Sequence, residues 1–173
     1  AGAPIDRIGV QAHISRNDIT KEDILRRLDL LAETGLPIEI SEFDMRDDAD
    51  TPQLNAIEQE RMFRDMLEVS FTHPSVDGFI MWGVWDKVHW RGNAPLFDSD
   101  WNVKPEAAPW FDLVHGQWKP DFVDEAVSGN GEWIAPIGLY NGDYQIPAEA
   151  NGVSSVANVT VSQDENYVIT VDT

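Results

Sequence analysis

The sequence contains no cysteine, which excludes disulfides, thiol catalysis and cysteine-type zinc sites and leaves the redox compartment open. Positive charge is scarce. Twelve Lys+Arg stand against 31 Asp+Glu for a formal charge of −19, and the only lysines are Lys21, Lys87, Lys104 and Lys119. Nucleic acid is a poor partner for such a chain, because phosphate binding needs clustered Lys/Arg that release counterions. The same deficit argues against an anionic membrane surface, and no apolar run approaches the roughly 20 residues of a membrane helix. A solvated acidic surface is the simplest reading of the charge. The chain opens on Ala1-Gly2-Ala3-Pro4, with no Met and no basic stretch leading into an apolar run, and so reads as a piece that starts within a protein.

A length of 173 residues suits one domain, or one domain and a small appendage, and a chain of that size hides roughly 70% of its unfolded surface. Composition changes near residue 119. Six of the seven tryptophans lie between Trp82 and Trp118, whereas residues 119–173 carry nine acids against the single base Lys119. That tail is dense in turn signals (Ser128-Gly129-Asn130-Gly131, Asn141-Gly142-Asp143, Asn151-Gly152). A main unit over 1–118 and a smaller β-rich unit over 119–173 are therefore expected, the latter built from Glu132–Leu139, Asp143–Ile146, Ser155–Ser162 and Tyr167–Asp172.

The front part alternates strands and helices. Ile5–Val10 predicts a strand ending at Gln11-Ala12-His13. Thr20 with Asp23 predicts a capped helix with Ile24, Leu25, Leu28 and Leu31 as its apolar stripe and Gly35 as its stop. Leu36–Ser41 is the next strand. Thr51-Pro52 opens a helix running to about Phe71, with Ile57, Phe63, Met66, Leu67 and Ser70 on one side, and His73-Pro74 ends it. Val76–Val84 reads as a strand covered on both faces, and a last helix spans about Pro105 to His115. The order β-α-β-α-β-α indicates a parallel sheet with right-handed crossovers. Three such units form only part of a (β/α)8 barrel and leave two raw edges, which natural sheets avoid.

Working residues of parallel α/β folds collect at the carboxyl ends of strands. Gln11 and His13 follow the first strand, Glu42 and Asp44 the second, and Trp82, Trp85, Asp86, Trp90 and Arg91 the third. A carboxylate nucleophile needs rigid placement and a hydrogen-bonding partner. His13 could give Glu42 that partner, and Asp44 could orient the imidazole from behind. Trp82, Trp85 and Trp90 flank a polar loop with Asp86, His89 and Arg91. Aromatic platforms beside hydrogen-bonding groups suit a sugar, which has apolar faces and a rim of hydroxyls.

Three runs, Ile8-Gly9-Val10-Gln11-Ala12-His13, Leu36-Pro37-Ile38-Glu39-Ile40-Ser41-Glu42-Phe43-Asp44 and Gly78 through Phe97, resemble in order and spacing the family 10 glycoside hydrolases, the (β/α)8 endo-1,4-β-xylanases. Lys104-Pro105 and the Trp110–Trp118 helix resemble that family's last helix, and Gly142-Asp143-Tyr144 resembles the small C-terminal β extension of its larger members. The resemblance implies an α/β fold, strands six to eight and their helices of a TIM barrel, followed by a small antiparallel β unit. It implies Glu42 as the nucleophile of a retaining mechanism and His13 and Asp44 as the pair positioning it. It implies Gln11, Trp82 and Trp90 as substrate-binding residues at the cleaved bond. Arg91 lies in the same signature with Asp86, shaping the loop and counted with the substrate-binding residues, and His89 stands where many members have Ser, as a subsite contact.

A retaining glycosidase needs a second carboxyl as acid/base. The family carries it in an Asn-Glu pair on strand four, and no Asn-Glu dipeptide occurs in this sequence. The expectation is therefore an endo-1,4-β-xylanase fragment, inactive alone, whose partners are xylan and the N-terminal half of the same barrel or another chain, and whose setting is secreted or extracellular. The alternatives are a non-catalytic carbohydrate-binding or structural remnant and a plain α/β domain with a tryptophan-rich core. No cofactor or metal is called for. Asp47, Asp48 and Asp50 lack the spacing and the downstream Glu of a calcium loop and read as a solvated acidic loop near a helix start. An acid-rich, Lys-poor surface also fits a soluble protein of a salty habitat.

Overall fold

The structure is a computed structural model that describes residues 2, 4–15, 18–45, 56–119, 139–150 and 152–162. It divides into two compact units, residues 1–117 and 118–173.

In the first unit a parallel sheet is built around one central strand. The first strand is split into β1 (Ile8–Val10) and β2 (His13–Ile14), both paired with β3 (Ile38–Met45); β4 (Val76–Met81) pairs with the other side of β3. Helix α1 (Lys21–Ala32) and helix α2 (Ala56–Thr72) form the crossovers. Among the described residues the outer sides of β1, β2 and β4 carry no strand.

Local chemistry explains where the helices start and stop. Thr20 is the N-cap of α1: its hydroxyl accepts from the Asp23 N–H at 3.1 Å, and the Asp23 carboxylate accepts from the Thr20 N–H. That reciprocal pair satisfies two of the helix's orphan donors, and the Thr20 N–H is the main reason the Asp23 carboxyl sits below its ordinary range. Gly35, at φ 74, closes the helix in a conformation that disfavours any Cβ. The apolar stripe is narrower than expected. Ile24 and Leu28 are buried, whereas Leu25 is exposed. On α2 the buried face is Gln59, Met62, Phe63, Met66, Leu67, Val69 and Ser70, and Ile57 is 79% exposed. Residues 51–55, where the start of this helix was expected, lie outside the described residues, as do Asp47, Asp48 and Asp50. Lys21 of α1 and Glu68 of α2 pair at 2.6 Å.

The core lies between β3 and the helices. Phe43 packs on Phe63 of α2 at 5.0 Å and on Phe79 of β4 at 5.2 Å, and Phe63 faces Trp110 at 6.5 Å. Ile38 and Ile40 are fully buried. The third strand ends at Met81, earlier than expected, and its Ile80 is half exposed. The covering of both faces inferred from its apolar run is thus not complete among the described residues. The last helical segment is a 3-10 turn, Pro105–Ala107, leading into Trp110–Gln117. The latter winds one residue wider than an α-helix, a form that sequence periodicity tuned to 3.6 does not reveal.

The most consequential departure is in β3, which runs to Met45 rather than ending at Ser41, so that Glu42 and Asp44 are strand residues. Register shows why they can work there. Val10 pairs with Ile40 but His13 pairs with Asp44, and Ile40 pairs with Phe79 but Phe43 with Met81. Measured against both neighbours, β3 holds one extra residue between Ile40 and Phe43. Such a bulge inverts the inward–outward alternation beyond it. Phe43, rather than residue 42, then continues the helix-facing row of Ile38 and Ile40. Glu42 and Asp44 are turned to the opposite face.

The second unit contains a hairpin: β5 (Gly142–Ala150) and β6 (Val153–Val161) pair antiparallel in full register. Asn151-Gly152 lies between them in the sequence, and Gly152 adopts φ 78, a conformation open to glycine. The expected strands Asp143–Ile146 and Ser155–Ser162 fall within these longer ones, Ser162 excepted. Residues 132–138 and 167–172 lie outside the described residues.

Candidate active site

On the face of the sheet turned away from the helices, side chains from β1–β2, β3 and the loop after β4 converge. Ala12 breaks the first strand with φ 57, an uncommon conformation for a residue with a Cβ, and the residues on either side of it meet one carboxylate. Gln11 Nε2 donates to Glu42 Oε1 at 3.4 Å, and His13 Nε2 donates to Glu42 Oε2 at 3.2 Å. His13 Nδ1 lies 3.0 Å from Asp44 Oδ1, although that approach is off the line of a hydrogen bond and neither atom completes one among the described residues.

Asp44 is the anchor. Its side chain is 0% exposed. Oδ2 accepts from the Trp90 indole N–H at 2.7 Å and has His89 Nε2 at 3.5 Å, and Arg91 Nη1 stands 3.6 Å from Oδ1. A buried carboxylate is tolerated only when such donors surround it. Arg91 is itself fixed, donating from Nη1 to Ser15 Oγ at 2.9 Å and lying 4.6 Å over the Trp90 ring. Trp90 meets the His13 ring edge-on at 5.0 Å. With these anchors, Trp82 and Trp90 remain 45% and 59% exposed. Both indoles are thus open to solvent, and that of Trp90 stands against the polar row of His13, Asp44 and Arg91.

Of the expected site residues, Gln11, His13, Glu42, Asp44, Trp90 and Arg91 thus form one connected set. Trp82 is joined to it through the backbone, its N–H donating to the Phe43 carbonyl at 2.9 Å. His89, expected as a subsite contact, is instead turned inward, with its side chain 1% exposed. Burial is the main reason its pKa is lowered, outweighing the opposite pull of Asp44, the Trp82 carbonyl and Asp86. Trp85 points elsewhere, stacking on Trp101 at 4.6 Å.

Sequence reasoning missed the residue that holds the tryptophan loop in shape. Lys104 Nζ donates to Asp86 Oδ1 at 3.0 Å, to the Ala94 carbonyl at 2.9 Å and to Asn93 Oδ1, while Asp86 Oδ1 also accepts from the Ala94 N–H at 2.6 Å. A lysine in a chain with only four was the available signal. Lys104→Met removes the cation and leaves Asp86 mostly buried without it. We expect a loss of roughly 2–4 kcal/mol, read as a lower denaturation midpoint at unchanged m-value, together with weaker fixation of Trp90.

The described residues contain no cluster of three or more His, Cys, Asp or Glu side chains that could hold a metal, and no helix among them is long and apolar enough to cross a membrane. What the site can do follows from its charges. It presents one carboxyl on a rigid strand, held by a donor on each oxygen, and joined through His13 to the half-exposed Trp90 indole.

Comparison with known proteins gives this geometry a setting. The model of glycosyl hydrolase family 10 matches residues 1–112. Endo-1,4-beta-xylanase 1 of Arabidopsis thaliana is 30% identical over 177 aligned residues, covering 99% of this chain and 17% of the plant protein. Anti-sigma-I factor RsgI6 of Acetivibrio thermocellus is 35% identical over 121 residues, covering 68% of this chain and 14% of that protein. The structure of xylanase 10B from Thermotoga maritima superposes with a TM-score of 0.56 at 28% identity, covering 66% of this chain and 38% of that one. The chain therefore spans well under half the length of these relatives, and its sheet is a partial (β/α)8 barrel without closure. The match over residues 1–112 is decisive for kinship: this chain belongs to glycosyl hydrolase family 10.

Proposed function

We propose that residues 1–118 supply strands six to eight of a xylan-cleaving barrel, and that Glu42 is its nucleophile in a retaining mechanism. The observation that carries this reading is the placement of Glu42: a bulged strand presents it to Gln11 and His13, with His13 backed by the fully buried Asp44. Gln11, Trp82 and Trp90 line the sugar site beside it. Arg91 shapes that site through Trp90 and Ser15.

In the proposed reaction a Glu42 oxygen attacks the anomeric carbon of the xylose unit and forms a glycosyl ester. The bond to the leaving sugar's oxygen breaks, and that oxygen takes a proton from a second carboxyl. Water then attacks the same carbon, the second carboxyl takes the water's proton, and Glu42 leaves as carboxylate. Gln11 and His13 keep Glu42 oriented through both steps. The two carboxyls must stand about 5–5.5 Å apart, and the Asn-Glu pair that carries the second one in the family does not occur in this sequence. The acid/base group is thus assigned to barrel segments outside these 173 residues, and the chain alone is expected to give no turnover. A neutral or acidic polysaccharide gains nothing from a charge of −19, which suits an extracellular, soluble protein better than an electrostatic capture role.

The second reading is a carbohydrate-binding module without turnover. It is favoured by the half-exposed indoles of Trp82 and Trp90, which suit a sugar face whether or not a bond is cleaved. The test is an assay of soluble xylan hydrolysis by the chain alone and by the chain mixed with the complementary N-terminal part of a family barrel. Activity only on mixing supports the first reading. Xylan binding without hydrolysis under both conditions overturns it in favour of the second.

A further inference from the structure

His89 has a place in the site that its burial conceals. Its ring lies against Gly83, whose φ is 88 and where an added Cβ would come within 2.8 Å of His89 Cδ2. Any other residue at 83 would therefore dislodge it. The Arg91 backbone N–H donates to His89 Nδ1 at 3.3 Å, so Nδ1 is an acceptor and the ring proton of the neutral form belongs on Nε2. Nε2 is 3.5 Å from Asp44 Oδ2, the oxygen that already accepts from the Trp90 indole. Both His89 Nε2 and Asp44 Oδ1 are buried atoms without a completed hydrogen bond among the described residues. Such atoms cost about 1–3 kcal/mol each when left unpaired, and a movement of a few tenths of an ångström would close the His89–Asp44 bond.

From this arrangement we infer that His89 is a positioning residue for Asp44: with its proton on Nε2 it joins Trp90 in holding Oδ2, which leaves Oδ1 for His13. The charged groups that face it are Asp44 from β3 and Asp86 and Arg91 from its own loop; the Trp82 carbonyl is a further acceptor nearby. Burial lowers its pKa, which favours the neutral ring that donates from Nε2. The chain therefore reaches Glu42 through four linked groups, His89, Asp44, His13 and Glu42. This inference concerns the organisation of the site read above as catalytic, and its structural part stands apart from turnover.

The test is nitrogen-15 NMR of the histidine rings in the 173-residue chain at pH 7. The expected spectrum shows His89 protonated on Nε2. In His89→Ala the ring-nitrogen resonances of His13 shift, and in His89→Gln, whose side-chain amide can reach the same carboxylate, they return toward the original positions. A proton on His89 Nδ1 in the unsubstituted protein overturns the inference without need of any variant. So does a His13 spectrum that His89→Ala leaves unmoved. In the assembled, xylan-cleaving protein, His89→Ala is further expected to lower kcat roughly 10–100-fold with KM little changed, and His89→Gln to recover most of it. A KM effect without a kcat effect overturns the positioning role. Failure of the xylanase reading would show instead as absent turnover with the NMR results intact.

Discussion

Glu42→Gln in a catalytically assembled protein is expected to lower xylan hydrolysis by roughly four to six orders of magnitude, the scale on which removal of a covalent nucleophile is felt. The substitution keeps the size and shape of the side chain and one oxygen to accept from His13 or Gln11, so the fold and the indole platforms should survive. The nucleophilic charge does not. Binding of xylo-oligosaccharide should change little, because Trp82 and Trp90 provide most of the apolar contact and neither depends on the Glu42 charge. The expected signature is therefore a collapse of kcat with a nearly constant affinity, measured by initial rates and by calorimetry on the same preparation. In Glu42→Ala, whose short side chain leaves room below the anomeric carbon, a small external anion such as azide should partly restore cleavage of an activated substrate, with the glycosyl azide appearing in inverted configuration. Retention of more than about one per cent of the rate would remove Glu42 from the nucleophile's role.

Asp44→Ala is expected to be the most damaging substitution for folding. Asp44 is the one fully buried carboxylate of the described residues, and the Trp90 indole, His13, His89 and Arg91 all address it. Removing it strands the Trp90 indole N–H and takes the buried negative charge away from His13, His89 and Arg91. The desolvation penalty of such donors is not recovered, and breaking a buried charge cluster of this kind costs about 3–5 kcal/mol. For a unit of this size that is a fall in Tm on the order of 10–20 °C. Asp44→Asn should be milder, since its amide oxygen can still accept from Trp90, yet its NH2 group meets further donors. Chemical denaturation of the two variants beside the original chain gives the comparison. If Asp44→Ala moved the midpoint by less than about 0.5 kcal/mol, the buried carboxylate would not be the anchor described here.

Much of this was legible in the sequence, and what was not has identifiable causes. Thr20 and Asp23 announced a capping box because the motif is local and its two hydrogen bonds are made within four residues. The strand-end clusters were legible because parallel α/β sheets place reactive groups at one end whatever else the chain does. The bulge in β3 was not, since an inserted residue shows only against the registers of β1, β2 and β4. For that reason Glu42 and Asp44 were expected to follow the strand, when they are part of it. Ile57 and Leu25 were placed on buried faces by periodicity alone, but burial is decided by what lies opposite, and the described residues leave them 79% and 44% exposed. His89 was read as a subsite contact because it stands where many members of the resembled family have Ser. Only the space above Gly83 shows that its ring turns the other way. The wide winding of Trp110–Gln117 had no signal at all in a pattern that assumes 3.6 residues per turn.

The central claim is that Glu42 forms the covalent bond to sugar, and the most direct measurement is to trap that bond. A xylobioside carrying an activated leaving group and fluorine at C2 slows hydrolysis of the intermediate more than its formation, because the electronegative substituent destabilises both transition states while the good leaving group rescues the first. Incubated with the assembled protein and followed by mass spectrometry of peptides, it should leave one glycosyl adduct, on the peptide containing Glu42 and absent in Glu42→Gln. An adduct on any other carboxyl, or continued xylan cleavage with inversion at the anomeric carbon and no adduct, would contradict the account.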